Sequence, residues 1–145
     1  MNWKYEAIDK LKQYAAKKQA LRSIPVEISR LESAMKSIRS ATADGTPVTG
    51  GGSGREDMML SNIVHREELE RALEQAQKWV DLVDAGLEIL GEDERLILDR
   101  FYINPAKGNV DGLCEELSVE KSQVYNRKDA ALRHFTIALY GGTES

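Results

Sequence analysis

Cysteine, proline, aromatic residues and long apolar runs are all scarce in this chain, and each scarcity removes a class of protein. A single thiol, Cys114, excludes an internal disulfide and fits a reducing compartment. Three prolines and few alternating β-branched runs argue against a substantial sheet. Two Trp, five Tyr and two Phe among 145 residues imply a thin core built from aliphatic side chains. No apolar stretch approaches the roughly 18 residues needed to span a bilayer. The opening Asn2-Trp3-Lys4-Tyr5 lacks the apolar core of a signal peptide. The expectation is an all-α, soluble, cytoplasmic protein with no membrane partner, holding one ordinary domain or two small ones.

Catalytic materials are equally thin. The two histidines, His65 and His134, have no Cys/His/Asp neighbours at zinc-binding spacing, and neither is placed in the sequence to activate Cys114. The Gly-rich stretch 50–54 lacks the following Lys-Ser/Thr of a phosphate-binding loop and reads as flexible linker. The chain is therefore expected to be no enzyme and to use neither metal nor cofactor.

The formal net charge is −4, which suits nucleic acid poorly unless the charge is segregated. It is. Residues 1–40 carry nine Lys/Arg against four Asp/Glu, whereas 58–91 carry three against seven and 92–145 seven against ten. Within the acidic C-terminal part, 121–136 reverses the trend: Lys121, Arg127, Lys128 and Arg133 oppose only Asp129. Modest DNA affinity from one copy is expected, with a need for a dimer or a protein partner.

Two apolar seams organise the first ninety residues. Leu21, Ile24, Ile28, Leu31, Met35 and Ile38 form one, and Leu69, Leu73, Ala76, Val80, Val83, Leu87 and Leu90 the other. Alternating spacings of three and four are a heptad pattern, which buries against another helix. A first helix over about 2–22 should bury Ile8, Leu11 and Ala15. Pro25, with Ser23 as a possible cap, should kink or restart it. The Gly-, Thr- and Pro-rich segment 41–57 should be a linker, and a long helix should occupy 58–91. The seams could pair as an antiparallel hairpin within one chain or between subunits. Gly91 should end that long helix in a left-handed turn, and Glu92-Asp93-Glu94 should open the next.

The domain over 92–145 carries the functional signal. Leu113 and Leu117 share one face of a short helix opened by Asp111. The connection Leu117-Ser118-Val119-Glu120 then leads to a longer helix from Lys121, with Val124, Ala131 or Leu132, and Phe135 inward. A short helix, a tight turn and a second helix with a free polar face make a helix-turn-helix, whose second helix enters the major groove. Asn126 and Gln123 can pair with adenine, and Lys121 or Arg127 with guanine. Ser122 and the free amides of the first turn can take a phosphate. Tyr125 could stack on the DNA backbone or pack inward.

Residues 88–140, above all Leu96-Ile97-Leu98-Asp99-Arg100-Phe101-Tyr102 and the run from Leu113 to Tyr125, resemble the DNA-binding region 4 of bacterial sigma factors. The phrase Val124-Tyr125-Asn126-Arg127-Lys128-Asp129-Ala130-Ala131-Leu132-Arg133-His134-Phe135, ending in Leu139-Tyr140-Gly141, resembles phage and prophage late-gene regulators of the RinA/ArpU type. That resemblance implies a DNA-binding activator working with bacterial RNA polymerase, and the weak charge balance with the few base pairs one helix can read favours a homo-oligomer, a dimer first. The resemblance also implies that Lys121, Ser122 and Asn126 face base edges, with Gln123 and Arg127 beside them and Arg133 on phosphates. Asp111, Glu115, Glu116 and Glu120 make the preceding segment more acidic than in sigma factors, and residues 1–90 contain no aromatic-rich promoter-melting segment. An accessory activator fits better than an autonomous sigma factor. Two rivals are a small terminase-like packaging subunit and a helical adaptor that never meets DNA.

Overall fold

A computed structural model describes residues 2–43 and 52–142 of the chain, with side chains described for 2–40 and 54–142. The protein is all-α. Helix α1 spans Trp3–Ala43 and α2 spans Gly52–Ile89. Helix α3 (Glu92–Leu98) runs on into a π-helical turn, Asp99–Ile103, and is followed by α4 (Asn109–Leu117) and α5 (Lys121–Tyr140). No described helix is long and apolar enough to cross a membrane.

The chain divides into two compact units. One is Gln19–Gln77; the other joins Met1–Lys18 to Lys78–Ser145. This division differs from the boundaries expected at 40, 57 and 91. The C-terminal helices share their unit with the beginning of α1 and the end of α2.

In the unit Gln19–Gln77, the first seam lies inward along its length, with Leu31 and Met35 buried. Asn62, itself buried, donates from Nδ2 to the Leu31 carbonyl at 2.8 Å and accepts from Arg66 Nε at 2.8 Å. Such a satisfied polar position in an apolar seam fixes which turns face each other. Pro25 does not restart the helix: α1 is continuous through it. Pro25 lacks the N–H that would bond the Leu21 carbonyl. Leu21, Ile24 and Ile28 are nevertheless partly buried on both sides of it, and this packing holds the helical path. The linker expected over 41–57 is shorter, because 41–43 close α1 and 52–57 open α2. Its centre, 44–51, lies outside the described residues.

In the other unit, α1 buries Ala7, Leu11 and Tyr14, while Ala15 is exposed. The inward row thus has spacings of four and three and passes beside Ala15. The Tyr14 hydroxyl donates to Asp84 Oδ1, and Trp79 Nε1 donates to the Lys10 carbonyl at 3.1 Å. Lys10 and Lys17 lie over the Trp79 ring at 4.5 and 5.0 Å. Helix α2 ends before Gly91, which is extended (φ −71°, ψ 166°) rather than left-handed and serves as the residue before α3. The three acids Glu92, Asp93 and Glu94 do occupy the first turn of α3, where the helix dipole favours them.

Candidate nucleic-acid interface

Helix α5 packs on both α3 and α4, and its inward side is apolar: Val124, Ala131, Leu132 and Phe135 are all fully buried, with Thr136 beside them. Ile97, Leu113 and Val124 form the core joining α3, α4 and α5, closed by Leu117, Cys114, Val119 and Phe101 among others. Burying a side chain such as Val124 or Leu113 contributes about 1.5–3 kcal/mol. This core fixes the rotation of α5 about its axis. It decides which residues are presented outward.

The turn between α4 and α5 is tight. Helix α4 opens at Asn109, whose Oδ1 accepts from the Val110 amide at 2.9 Å. Asp111, expected to open it, sits in the first turn instead. Ser118 ends α4 in the left-handed region (φ 54°, ψ 48°). The Val119 amide then bonds back to the Cys114 carbonyl at 3.1 Å. Glu120 is extended, and its carbonyl receives the Val124 amide at 3.1 Å. No side chain caps α5, so the first-turn amides of this helix remain available to an anion.

The eight residues expected to meet DNA, Lys121, Ser122, Gln123, Tyr125, Asn126, Arg127, Lys128 and Arg133, are not all on one side. Helical geometry turns about 100° per residue, which places Ser122, Asn126 and Arg133 within about 40° of one another, opposite the buried face. All three are exposed, as is Asp129 in the same row. Gln123 and Arg127, also exposed, flank that row and line a groove with Cys114, Ser118, Val119 and Glu120. Lys121, Tyr125 and Lys128 form the opposite flank.

On that flank the π-helical turn intervenes. It is closed by the Asn104 amide on the Asp99 carbonyl at 2.7 Å. Phe101, within it, meets Tyr125 edge-on at 6.0 Å between ring centroids. Tyr125 thus takes an intramolecular partner, although its residue remains exposed. The Lys128 ammonium lies 5.5 Å from the Phe101 ring and 3.1 Å from Asp129 Oδ1. This lysine is the most enclosed of the eight, its side chain 22% exposed. Burial raises the Tyr102 phenol above its ordinary value; the charge of Lys128 opposes the rise, and Asp129 adds to it.

Two acids near the interface have partners. Glu116 accepts from Arg100 Nη2 at 3.0 Å, and Glu94 pairs with His134 Nδ1 at 2.6 Å. Glu115 and Glu120 stay exposed. The lysines of residues 4–18 read in the sequence as a solvated face rather than a second DNA contact, yet Lys4 lines one cleft with Arg133. No local pattern marks that meeting, because it depends on α1 reaching α5. Compared with known protein families, curated proteins and solved structures, the chain matches none.

Proposed function

We propose that the chain is a sequence-specific DNA-binding transcriptional regulator in which α4 and α5 act as a helix-turn-helix. Helix α5 enters the major groove of double-stranded DNA by its N-terminal half. Asn126 and Gln123 address adenine, Arg127 or Lys121 addresses guanine, and Ser122 with the uncapped first-turn amides holds a phosphate. Arg133 meets the backbone farther along the helix. Lys128 and Tyr125 support the helix against Phe101 more than they touch DNA.

The observation that carries this reading is the division of α5 into two faces. Its fully buried side is wholly engaged with the scaffold, and its outward row from Ser122 through Asn126 and Asp129 to Arg133 consists of hydrogen-bonding and cationic side chains with one acid, exposed Ile137 following only in the last turn. Groups of this kind can read the donor and acceptor pattern of base edges. An adaptor surface would be expected to centre on apolar or aromatic anchors. Exposed Glu115 and Glu120 beside the turn lower the affinity of a single copy, which favours paired half-sites on a dimer. By its resemblance to phage late-gene regulators, the chain would act with bacterial RNA polymerase.

Selection from a random duplex pool tests the proposal. A regulator enriches one motif, and its binding weakens steeply as salt rises because phosphate contacts release counterions. No enrichment, with no salt-dependent duplex binding, would leave the helical adaptor as the better reading.

A further inference from the structure

Five lysines lie in the first eighteen residues, and the fold treats them differently. Lys10 and Lys17 cover the Trp79 ring, and Lys18 lies 5.3 Å from the Tyr14 ring centroid. Their side chains serve packing as well as charge. Lys4 instead lines a cleft of about 430 Å³ together with Asp129, Ala130, Arg133 and Thr136. Local packing holds the start of α1 there. Asn2 Oδ1 caps the helix by accepting from the Tyr5 amide at 3.2 Å, and the Trp3 ring packs 6.5 Å from that of Tyr140.

The charge within this cleft is unbalanced. Among the described residues its one acid, Asp129, is 3.1 Å from the Lys128 ammonium and is in part neutralised by it. Lys4 and Arg133 are both exposed, and neither is engaged in an ion pair among the described residues. Two cations from separate helices therefore converge on one concave surface with their charge unspent.

Position says what such a surface would meet. Arg133 follows Asn126 by seven residues, about 10 Å along the axis and nearly the same direction around it. The major groove is about 12 Å wide. A helix that seats Asn126 against base edges thus carries Arg133 out to the wall of the groove, where phosphates lie. We infer that the Lys4–Arg133 cleft clamps a backbone phosphate of the bound duplex, extending the DNA interface from α5 to the first turn of α1. The clamp rests on the proposed reading of α5. It adds a contact that carries no base information, since phosphate contacts position a protein without specifying sequence.

The test compares full-length wild type with Lys4→Ala, Arg133→Ala, the double variant and Asn126→Ala. Each is titrated with the selected duplex and with an unrelated duplex across a salt series. Removing one phosphate contact should lower the steepness of the log–log salt dependence by about one and weaken both duplexes alike. Lys4→Ala and Arg133→Ala are each expected to do so, whereas Asn126→Ala should lose preference between the duplexes. A Lys4→Ala protein with wild-type affinity and salt slope overturns the clamp while leaving the reading of α5 intact. Absence of duplex binding by the wild type overturns both. A Lys4→Ala change seen only with inorganic phosphate at constant ionic strength, and not with duplex, would make the cleft a small-anion site and also overturn the clamp.

Discussion

Gly86 of α2 lies close against the ring of Phe135 in α5: a Cβ at position 86 would stand 2.8 Å from Phe135 Cε1 and 2.9 Å from Leu139 Cδ2. Phe135 is fully buried, so its ring has little room to withdraw. The relationship sets how closely the candidate reading helix rests on its scaffold.

Gly86→Leu should therefore destabilise the protein by about 1–3 kcal/mol through overpacking, read as a lower denaturation midpoint in urea. Gly112 of α4 offers the contrast, since nothing lies within 4 Å of a Cβ there. Gly112→Ala should raise the midpoint, by up to about 1 kcal/mol, through helix propensity alone. Equal effects at the two glycines would contradict the close approach of α2 and α5.

Ser118 carries a left-handed backbone at the end of α4, a conformation that costs a residue with a Cβ about 1–2 kcal/mol. Glycine has no such cost. Ser118→Gly is expected to raise stability by about 0.5–1 kcal/mol, offset in part by the greater freedom of glycine in the unfolded chain. Differential scanning calorimetry checks this, and a fall in the melting temperature would mean that the Ser118 hydroxyl matters more than the turn.

Alkaline stability should depend on Tyr14. Burial, the hydrogen bond to Asp84 and the charge of that carboxylate all push its phenol above the ordinary 10.0. A phenol raised in the folded state contributes stability that is complete below its unfolded value and is lost as pH rises through the folded one. Burial also raises Tyr102 and Tyr140. Denaturant midpoints should hold up to about pH 10 and fall above it, with tyrosinate absorbance appearing as the protein opens. Tyr14→Phe should flatten that fall. An unchanged alkaline slope in this variant would show that Tyr14 ionises freely in the folded protein.

The seams were legible because apolar residues recurring every three and four positions have one economical arrangement, and Leu31, Met35, Ala76, Val80, Val83 and Leu90 are all buried. The α5 core was legible for the same reason, with both Ala131 and Leu132 inward. The inward course of α2 before Leu69 was hidden because Asn62 and Arg66 share it with Met59 and Ile63, and polar residues break an apolar pattern. Of the kink or restart expected at Pro25, the restart does not occur, since tertiary packing outweighed a local signal. The π-helical turn at 99–103 has no sequence mark, yet it brings Phe101 to Tyr125 and under the Lys128 ammonium. Lys4 could not be told from the other lysines of 4–18, read together as a solvated face, because its neighbours Asp129 and Arg133 are remote in the chain.

The central claim is that the outward row of α5 reads bases, and one comparison addresses it directly. Asn126→Ala and Gln123→Ala should be measured against the selected duplex and single-base variants of it, with helical content followed by circular dichroism. Each substitution is predicted to erase about 1–3 kcal/mol of discrimination at one base position, leaving the circular dichroism unchanged because both side chains are exposed. Wild-type discrimination retained by both variants at every position would contradict the account.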